Sequence, residues 1–258
     1  QTDGFAGYGI GKEASSVLFT FLITNKYIDA NGLILASKTL KAQDLPKQIT
    51  LPSGKKQTLT ADQKKFIVST VKNTADKQNQ TFITHLASFY GVKGDVLSSS
   101  VVQVSTLLDQ TDYLSKFIDP NKDDDFVKAF IALAARFNML YSSLEFNTAQ
   151  LNGIATNSGA YNQTFTVDKT HYIITFNQSN IYALYLFRQL EADFDDQKNS
   201  LVNYFKKVDT PGYDPLEKLS IITGWHTDQI SALWNYFYGS GNRSKTVLEI
   251  VQMKRVMD

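Results

Sequence analysis

The chain has 258 residues, 43% of them hydrophobic, which fits one large domain or two small ones with a sizeable core. Its formal net charge is +1, its pI is about 7.9 and its basic residues are scattered, so neither nucleic acid nor an anionic membrane surface is indicated as a partner. It has no cysteine, which excludes disulfides, thiol nucleophiles, zinc–thiolate sites and iron–sulfur clusters.

The first residues, QTDGFAGYGIGKEASS, set four glycines among aromatics. Gly11-Lys12 invites a phosphate-loop reading, which fails because Ala6 stands where glycine is required and Glu13 where a magnesium-binding hydroxyl is required. The stretch reads instead as a flexible or docking arm, with Phe5 and Tyr8 as interface candidates. Val17–Ala30 reads as a short apolar helix ended by the Asn31-Gly32 turn signal. Its apolar core, Val17–Thr24, is too short to span a bilayer. The Pro52-Ser53-Gly54 turn between two alternating runs predicts a hairpin within 48–59. These elements, residues 1–59, are expected to precede a helical bundle domain of residues 60–258. A chain beginning at Gln1 is expected to be a processed product or part of a longer chain.

Thr60 and Gln63 form a capping box for a helix that runs to Tyr90, with stripe residues Ile67, Val71, Ala75, Phe82, Leu86 and Phe89. Gly91 is its stop, and the polar stretch Asp76–Gln80 is a place where it would divide. Asp95 is positioned to cap a helix carrying Leu97, Val101, Val104 and Leu108. After Asp119-Pro120, the acids Asp123–Asp125 start a helix whose seam is Phe126, Phe130, Leu133, Phe137, Leu140 and Leu144. Residues 152–168 read as a loop. From Asp168 to Lys207 one stripe runs through Ile173, Phe176, Asn180, Ala183, Phe187, Leu190, Phe194, Gln197, Leu201 and Tyr204, predicting a single long amphipathic helix. Thr, Tyr and Ile leave 164–176 open between a hairpin and the start of that helix. Asn180 and Gln197 are polar positions on the stripe, suited either to pairing in the core or to fixing register. Asp214-Pro215, Thr227 and Ser244 start three shorter helices. The fold class is therefore mainly α: an irregular multi-helix bundle with long amphipathic helices and at most one small β-hairpin.

Each candidate for chemistry has a plainer reading. Asp119, Asn121, Asp123 and Asp125 alternate like the start of a calcium loop, but Asp124 and Phe130 occupy the positions that need glycine and a bidentate acid. Acids at a helix start complement its exposed amides. Glu191, Asp193, Asp195 and Asp196 form an acidic cluster that a glycosidase would need to split across a cleft. With Arg188 and Lys198 nearby, they read as a solvated ion-pair surface. His85, His171 and His226 have no metal-ligand spacing, and no GxSxG motif is present. The sequons at Asn79, Asn162, Asn177 and Asn242 are of the number expected by chance in a chain rich in Asn, Ser and Thr. No catalytic residue, metal ligand or cofactor-binding residue is assigned. Among the aromatics near the C-terminus, Trp234 and Phe237 share a face with Ile230 and read as core. Trp225, Tyr236 and Tyr238 are the better interface candidates.

Three segments carry a family resemblance: NIYALYLFRQL at Asn180–Leu190, the Trp225 to Ile230 spacing, and KTVLEIVQMKR at Lys245–Arg255, with VSTLLDQ at Val104–Gln110 as a further echo. They resemble the IcmX-like periplasmic components of type IVB (Dot/Icm-like) secretion systems and their conjugation relatives. The resemblance covers the C-terminal third and does not reach the first sixty residues. It implies a non-enzymatic, exported bacterial protein, periplasmic or secreted, that assembles as a homo-oligomer and with other subunits of the secretion apparatus. The alternatives are a secreted effector or ligand-binding protein acting as a monomer, and a cell-wall hydrolase using Glu191 or the Asp119–Asp125 acids.

Overall fold

The computed structural model describes residues 5, 8–118, 124–161, 163–194, 199–238 and 241–257. In chain order the elements are α1 (Lys12–Thr24), β1 (Gln48–Thr50), β2 (Lys56–Thr58), α2 (Ala61–Tyr90), α3 (Gly94–Leu108), α4 (Tyr113–Ile118), α5 (Asp124–Ser143), α6 (Thr148–Thr156), a 3-10 turn at Ser158–Tyr161, β3 (Thr166–Asp168), β4 (Ile173–Thr175), α7 (Gln178–Asp193), α8 (Ser200–Lys207), α9 (Pro215–Thr223), α10 (Thr227–Phe237) and α11 (Arg243–Met257). The fold is mainly α, and the described residues hold two small antiparallel hairpins, β1–β2 and β3–β4. The chain divides into two compact units, Gln1–Gly91 with Gln110–Val127, and Val92–Asp109 with Lys128–Asp258.

In the first unit, α1 buries Ala14, Leu18 and Leu22. Its core runs from Phe5 and Ile10 through Leu18, Ile49 and Leu59 to Ile67, so it is continuous across the expected boundary after residue 59. In the Gly-rich stretch, expected to be a flexible or docking arm, the described residues Phe5 and Tyr8 lie against their own unit. Phe5 is in the core, Tyr8 lies 4.8 Å ring to ring from Phe66, and the Tyr8 carbonyl accepts a hydrogen bond from Gln63 Nε2 at 2.8 Å. Gln63 also closes the predicted capping box of α2 with Thr60. That helix runs unbroken through Asp76–Gln80, because most of these polar residues lie on its exposed side. Toward its end Ile83 and Ala87 take the buried positions and Phe89 is exposed. Gly91 stops it in the left-handed conformation, at φ 65°.

In the second unit, α3 buries the predicted Leu97, Val101, Val104 and Leu108 against α6. The α5 seam holds to Phe137; beyond it Asn138 and Tyr141 are buried, and Leu140 and Leu144 are only partly so. The single long helix expected from Asp168 to Lys207 does not form. Asp168 closes a turn by accepting from the backbone N–H groups of Thr170 and His171 and pairing with His171 Nδ1 at 2.7 Å. The following β-branched Ile173, Ile174 and Thr175 pair with Thr166–Asp168 as a hairpin. Phe165 and Phe176, at its open end, both contact Phe137 of α5. Asn177 then caps α7, and Asn199 enters α8 with φ 53°. Asn180 is buried: its side-chain Nδ2 donates to the Thr164 carbonyl at 2.9 Å, and its backbone carbonyl accepts from Gln163 Nε2. Gln197 lies outside the described residues.

The stretch 152–168, expected to be a loop, begins inside α6, which starts on a second capping box formed by Asn147 and Gln150. Asp214 caps α9 as predicted, accepting from the N–H groups of Leu216 and Glu217. For α11 the cap is Asn242, not Ser244, whose buried hydroxyl donates to Asp209.

Burial raises several tyrosines in both units. Tyr113 in the first unit is pushed up to about 12, and Tyr141, Tyr161 and Tyr204 in the second are raised further. The folded state thus holds protons that the unfolded state releases above about pH 10. This contribution to stability is intact below pH 10 and is lost as pH rises toward the folded values. A thermal unfolding series across that range, with phenolate absorbance as the second probe, is expected to show Tm falling as tyrosines ionise together with unfolding.

Candidate functional site

The predicted site residues are dispersed. Of the interface candidates, Phe5 is buried within its own unit, Tyr8 is exposed, and Tyr236 is 78% exposed at the end of α10. Trp225 is half-buried, edge-on to Phe194 and 5.7 Å from the Lys254 ammonium. Tyr238 stacks on the buried Trp234. Asp119, Asn121, Asp123, Asp195, Asp196, Lys198 and the sequon residue Asn162 lie outside the described residues. Asp124 and Asp125 are exposed in the first turn of α5. His85, His171 and His226 are exposed and belong to separate elements, and the described residues contain no cluster of acids and histidines that would hold a metal ion. Asn177 and Asn242 serve as helix caps.

Glu191 is not on a solvated surface. It is 5% exposed, and one carboxylate oxygen accepts from Gln150 Nε2. Gln150 uses its other side-chain atom, Oε1, to accept the Asn147 N–H at 2.7 Å. One turn earlier on α7, Arg188 Nε donates to the Leu144 carbonyl at 3.0 Å, just beyond the end of α5. Arg188 therefore satisfies a carbonyl at the end of one helix, and Glu191 holds the Gln150 side chain that caps the start of the next, ends that a helix leaves without intrahelical partners. Asp193 forms a two-pronged ion pair with Arg255 that ties α7 to α11. These side chains are spent on holding the unit together.

The opposite face of α7 is unlike an ordinary solvated helix. Ile181, Tyr182 and Tyr185 are each 43–45% exposed, and the two tyrosine rings stack 6.4 Å apart. Gln178 and Gln189 lie at helical steps from them, and so does Arg188, whose guanidinium is engaged by the Leu144 carbonyl, so the exposed centre of the stripe carries aromatic, aliphatic and amide groups. Sequence reasoning missed this face because it followed the buried stripe of Ala183, Phe187 and Leu190. The signal was present in Asn180–Leu190 as apolar residues on both sides of one helix.

In the first unit, the apolar stripe of α2 is crossed by a strap, residues 33–40, which turns at Ala36-Ser37. The strap is pinned by Gln78, whose Oε1 accepts the Ile34 N–H at 3.0 Å, by Asp112, which accepts the Ser37 N–H at 2.7 Å, and by the Tyr27 carbonyl, which accepts from Leu35. Strap, α2 and the start of α4 enclose a cavity of about 370 Å³ walled by Leu35, Leu40, Val71, Ala75 and Leu114. A neighbouring hollow of about 390 Å³, reaching Phe82, shares Leu33, Gln78 and Leu114 with it. The run Leu33–Ala36 has no periodicity, which is why its role was not legible.

Among the described residues no helix is long and apolar enough to cross a membrane. Comparisons with protein-family models, with curated proteins and with solved structures give no match.

Proposed function

We propose that this protein is a non-enzymatic assembly component of a bacterial envelope-spanning type IV secretion or conjugation apparatus, exported to the periplasm or beyond it. The observation that carries the reading is the uncharged aromatic face of α7, formed by Ile181, Tyr182 and Tyr185. Interfaces are enriched in aromatics and depleted of Lys, Glu and Asp at their centres, which is the composition of this stripe. Its occupant is a second copy of the same stripe. A patch whose exposed centre, Ile181, Tyr182 and Tyr185, is without formal charge meets its own copy across a two-fold axis without like-charge repulsion there. The segment NIYALYLFRQL, which resembles the secretion-system family, is α7 itself. A hydrolase built on Glu191 has less support, because that carboxylate is buried and engaged by Gln150.

Tyr182→Lys combined with Tyr185→Lys tests the reading. Both residues are exposed on one helix, so the fold is expected to survive, with an unchanged far-ultraviolet circular dichroism spectrum. Sedimentation velocity is expected to report a multimer for the parent and dissociation for the variant. A multimer of the same size in the variant would remove α7 as the assembly face. The second reading, a ligand-binding protein acting as a monomer, is favoured by the cavity in the first unit.

A further inference from the structure

We propose that the trough along α2 in the first unit binds a single-chain fatty carboxylate, with its alkyl chain under the strap and its head group at Lys72. The sequence explains why the trough exists. Val68, Val71, Ala75 and Phe82 of α2 form an apolar stripe at steps of three and four, the kind that another helix normally covers. Here the cover is an irregular strap, strand-like only around Ile34, whose Leu33, Ile34 and Leu35 are only half-buried, and space remains beneath it. The space is of the size that accepts a small molecule, within the range of about 300–1,000 Å³ usual for ligand pockets. The neighbouring hollow continues it along α2, as an elongated rather than a globular ligand requires.

The polar groups on the lining indicate what the chain of the ligand must be. Gln78 is spent on the backbone of the strap, Asn79 accepts from the Tyr113 hydroxyl, and Asp112 accepts the Ser37 N–H. The Ser115 and Thr74 hydroxyls donate to the backbone carbonyls of Asp112 and Thr70, and Thr39, Thr111 and Thr81 complete the polar lining. The greater part of the wall is hydrocarbon and favours a ligand that asks for few hydrogen bonds along its length. Charge indicates the head. Lys38 and Lys72 line the first hollow and Lys77 the second, against Asp112. The Lys38 ammonium already donates to the Asn25 carbonyl and sits over the Tyr27 ring, whereas Lys72 is exposed at the mouth. A single lysine acting as a point charge there suits a monoanionic carboxylate. The pinned strap makes the trough preformed, so binding requires little reorganisation.

The experiment is a calorimetric titration of the full chain with decanoate below its micellar concentration, with decanol in parallel. Saturable one-to-one binding of decanoate is expected, with decanol weaker by about fivefold, the factor one exposed ion pair supplies. Lys72→Gln is expected to bring decanoate to the level of decanol. Ala75→Phe fills the cavity and is expected to abolish binding of both. Because Ala75→Phe risks disturbing the core, the site is also located in the wild-type protein. A spin-labelled fatty acid is expected to broaden the methyl resonances of Leu35, Val71 and Leu114. Absence of saturable decanoate binding, equal affinity for decanol, or broadening confined to other methyls would overturn the proposal.

Discussion

Gln150→Ala is expected to destabilise the second unit by about 2–4 kcal/mol, the sum of a lost helix cap and a lost hydrogen bond to a buried carboxylate. One side chain performs both tasks: its Oε1 accepts the Asn147 N–H at the start of α6, and its Nε2 donates to Glu191 of α7. Alanine removes the acceptor from the N-cap amide of Asn147 and a donor from a carboxylate that is 5% exposed. The second loss is the larger, since a buried charge deprived of a donor keeps the full cost of its desolvation. Urea unfolding measures the effect, and a double-mutant cycle with Glu191→Gln separates the two parts. A loss below about 0.5 kcal/mol, the usual range for a surface substitution, would mean that Glu191 is solvated after all.

Gly153→Ala is expected to lower stability although it replaces glycine inside a helix. The propensity gain is about 1 kcal/mol. Against it, a Cβ at this position meets the Tyr161 hydroxyl at 2.6 Å and a Val202 methyl at 3.2 Å. The tyrosine has no room to retreat. Its ring stacks on Phe205 at 5.3 Å, takes Phe187 edge-on at 4.9 Å, and its hydroxyl lies 3.4 Å from the Val202 carbonyl. Overpacking of this kind costs about 1–3 kcal/mol, and the closeness to a rigid ring places it at the upper end, for a net loss of about 1–2 kcal/mol. In a domain of this size Tm then falls by about 2–4 °C per kcal/mol. Tyr161→Phe in the same chain removes the clashing oxygen and is expected to recover much of the loss. A variant more stable than the parent would show that α6 and Tyr161 are not in contact.

These two positions also mark where the sequence was legible. Some helix ends with a local chemical signature were legible: Thr60 with Gln63, Gly91, and Asp214 with Pro215 act through residues two to four apart. Asp95, Thr227 and Ser244, expected as caps, instead lie inside the first turns of helices whose N-caps are Lys93, His226 and Asn242. The buried sides of helices were also legible, since Leu97, Val101, Val104, Phe187 and Leu190 are all core. What failed was continuity. The stripe from Ile173 to Tyr204 keeps its three-and-four spacing across a hairpin and two helices, and periodicity does not register the turn at Asp168–His171 or the left-handed Asn199. The short α6 was hidden because Gly153 reads as a loop signal, whereas its absent side chain makes room for Tyr161. Glu191 was misplaced for a related reason. Arg188 and Lys198 nearby suggested solvent, but Arg188, Glu191 and Asp193 turn to separate partners, Leu144, Gln150 and Arg255. The strap and its trough depend on contacts between residues more than forty apart, such as Ile34 with Gln78, which no local pattern announces.

Self-association through α7 is tested most directly by light scattering on a sizing column across a dilution series of the unmodified chain, whose monomer mass is 29.0 kDa. A discrete multimer is expected, with a mass that holds over the upper part of the series and falls to the monomer only on strong dilution. A mass of one chain at every concentration would contradict self-assembly through the Ile181, Tyr182 and Tyr185 face.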